Sequence, residues 1–350
     1  MRVVVVGATG NVGTSLLQVL ADDARVESVL GLARRVPDVP LPKVEWAHAD
    51  VASSDLVPLF RGADAVVHLA WLIQPSRDLA RLRRTNVDGS QRVFRAVADA
   101  GVPALVYASS VGAYSPGPKD REVDESWPIG GIATSFYSRH KAEVERLLDG
   151  FEQEHTSVRV VRLRPGLIFK REAATGIRRL FVGPFLPSPL LRPGLLRVVP
   201  DIPGLRVQAV HSRDVADAYR IAIASDARGA FNVAADPVLD SPLVARLLDA
   251  RTVRVPRGVA RGATALSYRL RLHPTPPGWL DLGLGVPLLD SSRAHDELGW
   301  RPSVSAADAL LELIAGLRES AGFPTPPLDP ETTGPRRRRE LATGVGAREH

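Results

Sequence analysis

Short runs of apolar, largely β-branched residues alternate through the first two-thirds of the chain with longer segments whose apolar positions recur every three or four residues. The runs RVVVVG (2–7), VESVLGLA (26–33), KVEWAHA (43–49), DAVVHLA (64–70), ALVYASS (104–110) and VRVVRLR (158–164) predict strands. Their nearly continuous apolar character predicts strands buried on both faces, as in a parallel sheet covered by helices. Helices are predicted between them. NVGTSLLQVLADD (11–23) sets Val12, Leu16, Leu17 and Leu20 on one face, and helical periods run through 79–101 and 134–155.

After Arg164 the pattern breaks, with prolines at 184, 187, 189, 193, 200 and 203 in a leucine-rich stretch. Such a segment excludes a long helix or a central strand. It reads as an irregular lobe that supplies apolar surface to a ligand. The sheet pattern returns in VQAVHSRDVADAYRIAIAS (207–225) and GAFNVAA (229–235), followed by a second Pro-rich stretch, HPTPPGWLDLGLGVP (273–287). A last amphipathic helix, SAADALLELIAGLRE, spans 305–319.

Composition narrows the class. The 350 residues are 45% hydrophobic and 24% charged, as expected of a globular chain. No cysteine is present, which excludes disulfides and thiolate metal sites and fits a cytoplasmic protein. No leader and no membrane-spanning run is expected. The net charge of +6 comes from arginines spread along the chain, with only Lys43, Lys119, Lys141 and Lys170 as lysines. The reading is therefore no nucleic-acid partner and no membrane partner. The dense run PRRRRE (335–340) falls in residues 324–350, expected to be a disordered tail.

Gly7, Gly10 and Gly13 stand between the first strand and the first helix. A turn of this kind needs a residue without Cβ where the backbone reverses, where a pyrophosphate approaches, and where the helix packs on the strand. The helix start then offers free N–H groups to phosphate. The turn predicts a dinucleotide site at Gly7, Thr9, Gly10, Asn11, Val12 and Gly13.

With its G-x-x-G-x-x-G spacing, the chain resembles the extended short-chain dehydrogenase/reductase family, the group of NAD-dependent epimerases and dehydratases. The likeness covers about residues 1–318 through nine motifs in the family's order: GATGNVG, HADV, HLA, TNVDGS, YASSVGAY, YSRHK, RPGLIF, VHSRDVADA and LDSSRAHDELGWRP. The resemblance implies an α/β fold, a doubly wound parallel sheet (Rossmann) with a smaller C-terminal substrate lobe. It divides the chain into a dinucleotide-binding domain (1–170 and 207–236) and a substrate lobe (171–206 and 237–320). It further implies that Asp50 and Val51 border the adenine, that Leu69 and Ala70 line the cofactor, that Pro165 opens a loop beside the nicotinamide, and that Asn86 lies near the cofactor.

Tyr137 and Lys141 are four residues apart, so they share one helix face at about 5–6 Å between Cβ atoms. A neighbouring ammonium is expected to draw the phenol pKa, near 10 when free, toward the working range. The tyrosine then exchanges a proton with a substrate oxygen while hydride moves at carbon. The resemblance places Lys141 on the cofactor ribose and the third catalytic hydroxyl at Ser110, with Ser109 as the alternative; its role is to hydrogen-bond the substrate oxygen. His211 and Asp214 read as structural. No metal-ligand spacing and no nucleophile elbow occurs.

Departures from the family pattern refine the expectation. Where an acid would bind the ribose hydroxyls, the chain has Ala33, Arg34 and Arg35, so Arg34 is expected to meet a 2′-phosphate. NADP(H) is favoured and NAD(H) is the alternative. Val111, Gly112 and Ala113 replace the acids of sugar dehydratases, and Val207 stands where a diphosphate-binding arginine is usual. The expected function is an NAD(P)-dependent oxidoreductase acting on a small-molecule secondary alcohol or ketone, of mainly apolar character. A nucleotide-sugar epimerase and a non-catalytic dinucleotide sensor are the alternatives. A homodimer is left open.

Overall fold

Periodicity of two along each apolar run divides its side chains between two cores, and the chain builds a sheet with helices on both faces. In a computed structural model, residues 1–73, 77–178, 197–273 and 275–330 are described. The strands β1 (Arg2–Val6), β2 (Ser28–Ala33), β3 (Val44–His48), β4 (Ala65–His68), β5 (Ala104–Ala108), β6 (Arg159–Pro165) and β7 (Gly229–Val233) lie in the order β7-β6-β5-β4-β1-β2-β3. All neighbours are parallel. The fold is the doubly wound Rossmann type, and its order reverses between β1 and β4, the switch point at which such sheets bind ligands.

Val3 and Val5 face α1 (Asn11–Asp22), packing with Leu16, Leu17 and Leu20, while Val4 and Val6 face the opposite layer with Phe94, Val97, Val144 and Leu148. Those last four belong to α2 (Gly89–Asp99) and α3 (Phe136–Glu154). Burial on both faces holds for β1 and β4 but not for β3, whose residues are half-buried or exposed because it forms the sheet edge.

The helix expected over 79–101 is not continuous. It runs as Leu79–Arg83, then a wide π-type turn Arg84–Asp88, then α2. The turn brings Asn86 inward, and Gly89 lets the post-β3 loop close, since a Cβ there would lie 2.7 Å from Val51 Cγ2.

Beyond β6, Leu167–Phe169, Arg206–His211 and Ala235–Asp240 form a small sheet, and Val198–Asp201 pairs with Arg251–Arg254. The helices that matter to the site and its surroundings are α4 (Ser212–Ala224) against α1, then α5 (Arg257–Arg269), α6 (Gly278–Gly285) and α7 (Ala306–Glu319). Most of the leucine- and proline-rich segment lies outside the described residues, as do the arginine run and the rest of 331–350. Residues 324–330, assigned from sequence to the tail, are instead packed. Leu328 and Thr325 are buried, and Thr325 Oγ1 donates to Thr9 O at 2.9 Å, so this segment braces the glycine turn.

Candidate active site

At the turn after β1, Gly7 has φ +88°, and a Cβ there would lie 2.6 Å from Ala70 N and 2.9 Å from the Leu69 carbonyl carbon. Only glycine lets β1 and β4 approach so closely. A Cβ at Gly13 would lie 2.5 Å from Ala8 O, so this glycine serves helix-to-strand packing. Gly10 differs, because a Cβ there would meet nothing closer than Gly7 O at 3.6 Å. Its missing side chain answers to what approaches the turn. The first bond of α1 is Thr14 N to Gly10 O, which leaves the N–H groups of Asn11, Val12 and Gly13 at the helix start for an anion. Asn11 Oδ1 is buried there without a hydrogen-bond partner among the described residues, while Asn11 Nδ2 donates to Ile168 O. These features fit a dinucleotide pyrophosphate.

The other expected cofactor residues gather at the same sheet edge. Gly7 N and Ala8 N both donate to Leu32 O, which brings the end of β2, with exposed Arg34 just beyond it, beside the turn. Asp50 Oδ1 accepts from Ala52 N and shapes its own loop, while buried Val51 packs on Gly89. Leu69 and Ala70 border Gly7, and Pro165 ends β6. Asn86 is fully buried, with its amide donating to Leu72 O and accepting from Leu72 N. It therefore holds the loop after β4 in place and is not a surface asparagine.

α3 starts at a serine cap, Ser135, and is tied to the turn after β5 by Ser138, whose hydroxyl donates to Gly112 O at 2.5 Å. Residues one helical turn apart along α3 then meet three successive residues at the end of β5. The Tyr137 ring and Ser110 Oγ both lie against Gly112, where a Cβ would come within 2.8 Å of Tyr137 Cε1 and 3.4 Å of Ser110 Oγ, while Lys141 Nζ donates to Ala108 O at 2.5 Å and Ser109 Oγ donates to Glu145 Oε1 at 2.5 Å. Glu145 also receives the Arg164 fork at 2.8 and 3.0 Å and Arg162 at 2.9 Å. This arrangement separates the two serines: Ser109 is bound away behind the site, and Ser110 faces Tyr137.

Electrostatics corrects one expectation. Burial pushes the Tyr137 phenol up to about 12, with the Ser110 hydrogen bond acting in the opposite direction. Burial lowers Lys141 to about 7, opposed by Glu145. The phenol is not drawn down toward neutrality, because the lysine amine is aimed at Ala108 O and lies 3.6 Å from the centre of the Trp71 ring. At neutral pH Tyr137 therefore holds its proton and is a donor. Burial would raise Glu145, but Arg164 and Arg162 overcome it and hold the carboxyl at about 2.

Two indoles missed by sequence reading frame Tyr137. Trp71 lies edge-on at 6.1 Å between ring centres, and Trp279 of α6 lies over it at 5.2 Å, tilted 32°. Gly278 makes this possible, since a Cβ there would lie 2.3 Å from Thr134 O, butting α6 against the start of α3. Glu145 and Lys170 were missed too. Lys170 Nζ, buried, donates to Asn11 O, Thr14 Oγ1 and Ser15 Oγ beneath the glycine turn. The sequence signal for Glu145 was available, as it repeats the four-residue step from Tyr137 to Lys141. Nothing in the spacing pointed to Trp71, Trp279 or Lys170.

His211 caps α4 by accepting from Arg213 N, and Asp214 accepts from Ser303 Oγ and Val304 N. Among the described residues no cluster of three or more His, Cys, Asp or Glu is placed to hold a metal, and no helix is long and apolar enough to cross a membrane.

A family model described as "NAD dependent epimerase/dehydratase family" matches residues 3–234. The chain belongs to this family. Among curated relatives, an uncharacterized protein of Mycobacterium tuberculosis is 26% identical over 326 residues, covering 92% of this chain. The chain spans only 31% of that relative's length. The NAD-dependent glucose-6-phosphate dehydrogenase of Haloferax volcanii is 32% identical over 180 residues, 47% of this chain and 67% of the relative. In fold, the chain is similar to the UDP-glucose 4-epimerase of Thermus thermophilus in complex with NAD, with a TM-score of 0.66, 22% identity, and coverage of 91% of this chain and 99% of that one. The family match spans the glycine turn, Ser110, the Tyr137–Lys141 pair and β7, which are the parts that meet at the carboxyl edge of the sheet.

Proposed function

We propose that this family member is an NAD(P)-dependent oxidoreductase that reduces a ketone to a secondary alcohol, with Tyr137 delivering the proton to oxygen. The observation that carries the reading is the convergence of the Tyr137 ring and the Ser110 hydroxyl on Gly112, just past the end of β5, with Lys141 one turn away. A bound nicotinamide would supply the hydride. Ser110 orients the substrate oxygen, Tyr137 donates its proton there as charge develops, and Lys141 presents its amine one helical turn away. With the phenol raised to about 12, Tyr137 holds at neutral pH the proton that ketone reduction consumes.

Two finer readings accompany this. Arg34, with no acid closing β2, supports NADP(H) over NAD(H). The indoles of Trp71 and Trp279 around Tyr137 support an apolar carbonyl compound over a hexose diphosphate, whose hydroxyls would need several buried polar partners. The Thermus thermophilus epimerase named above keeps nucleotide-sugar epimerisation as the competing reading. Absorbance assays of NADPH and NADH oxidation against hydrophobic ketones, with thermal shifts for UDP- and dTDP-hexoses, test it. Turnover of ketones without sugar stabilisation supports the reductase; saturable stabilisation by hexoses alone overturns it.

A further inference from the structure

Helix α5 is amphipathic but set the reverse way round. At 100° per residue, Val259, Ala263, Leu266 and Leu270 fall within a sector of about 60°. The opposite side holds the helix to the protein. Arg261 Nε pairs with Asp281 Oδ1 at 2.9 Å, Arg257 Nε donates to Pro203 O at 2.5 Å, and Arg77 lies 4.5 Å over the Tyr268 ring. The apolar stripe therefore points outward: Val259 is 61% exposed, Leu266 and Leu270 58%, and no residue of the helix is buried. Leu272 and Val253, at either end of the helix, are exposed as well. A surface helix ordinarily turns such a stripe to the core.

Charge singles out the occupant. Residues 250–280 contain six arginines and no aspartate or glutamate, and Arg251, Arg254, Arg269 and Arg271 are exposed. We propose that this face docks on the surface of an anionic lipid bilayer, with the Val and Leu side chains entering the headgroup–acyl boundary and the arginines meeting lipid phosphates. A second copy of the chain would set the exposed Arg251, Arg254, Arg269 and Arg271 against their own copies across a two-fold axis, which like-charge repulsion opposes. Nucleic acid would satisfy the arginines but leave the leucine stripe in water. The sequence reading expected no membrane partner because the arginines are spread along the chain; the fold sets Arg251, Arg254, Arg269 and Arg271 around one exposed apolar stripe.

The face also adjoins the catalytic helix. Tyr268, from the inner side of α5, lines a cavity of about 380 Å³ together with Arg77, Thr134, Phe136 and Pro276, and Phe136 of that lining meets the same Trp279 indole that lies over Tyr137. Resting on the reductase reading above, this makes membrane-dissolved ketones the substrate class.

Co-sedimentation of the full chain with vesicles of mixed phosphatidylglycerol and phosphatidylcholine, against pure phosphatidylcholine, tests the docking at low and high salt. Binding is expected on the anionic vesicles only, weakening with salt and falling at least about tenfold in the double variant Leu266→Glu, Leu270→Glu. That variant should keep its thermal midpoint, because both side chains are exposed. No binding to anionic vesicles, or undiminished binding by the folded variant, overturns the proposal. So does self-association of the wild type that the variant abolishes without any vesicle binding. If vesicle binding holds while no hydrophobic ketone is turned over, the docking stands and the substrate reading falls.

Discussion

Ser109 Oγ donates to Glu145 Oε1 at 2.5 Å, locking the end of β5 to the catalytic helix from behind. The next residue, Ser110, instead accepts from Gly112 N at 3.0 Å and lies with the Tyr137 ring against Gly112. Under the proposed mechanism the adjacent serines have opposite assignments, one structural and one catalytic. Ser110→Ala is expected to lower turnover by a factor on the order of 10² with little change in stability. Ser109→Ala should keep most of the turnover and cost about 1–2 kcal/mol of stability. Steady-state kinetics with urea unfolding of both variants checks the pair, and equal kinetic losses would contradict the assignment.

Glu145 pairs with the buried Arg164 and, together with Asp149 and Glu152, with Arg162. Removing its charge takes the carboxylate partner from Arg164 in a low-dielectric interior, while Arg162 keeps Asp149 and Glu152. Glu145→Gln is therefore expected to destabilise the fold by about 3–5 kcal/mol. Denaturant unfolding measures this, and a loss below that of Ser109→Ala would show the cluster is not a closed unit.

The buried lysine sets a pH dependence. Burial lowers Lys141 from 10.5 to about 7. Between those values the unfolded chain carries a proton that the folded chain lacks, so this group makes stability rise with pH from about 7 upward. Below about 7 its penalty is fully present. Lys119 and Lys170, lowered to about 8 by burial, act in the same direction. Thermal midpoints at pH 7 and 9 should rise in the wild type and rise less in Lys141→Met. An equal rise in both would contradict the burial of that charge.

Much of this was legible in the sequence because the signals are local. Four valines before a glycine turn fix β1, the turn and α1, since strand period, absence of Cβ and helix start are all properties of neighbouring residues. Tyr137 and Lys141 could be paired because helix geometry alone sets their spacing. What could not be read depends on distant segments meeting. Trp71 and Trp279 reach Tyr137 from a loop and a helix far apart in the chain, and Lys170 reaches Asn11 across the sheet. The phenol's raised pKa was missed for the same reason: burial and the aim of the Lys141 amine are set by tertiary packing. The break at Arg84–Asp88 was hidden because a π-type turn keeps helical composition.

Arg34 stands exposed just past β2, beside the glycine turn. Arg34→Ala is expected to weaken NADPH binding roughly tenfold while leaving NADH within about twofold, as loss of one phosphate contact implies. Fluorescence titration of both cofactors checks this. A wild type that strongly prefers NADH, with no change in the variant, would remove the NADP assignment.

The central claim is that Tyr137 gives the proton. The most direct measurement is turnover and NADPH affinity of Tyr137→Phe, assayed with the best hydrophobic ketone found for the wild type. Turnover is predicted to fall by a factor on the order of 10² or more with cofactor affinity unchanged within a few-fold, because only the phenolic proton is lost. Near-normal turnover by a variant that binds NADPH normally would contradict the mechanism.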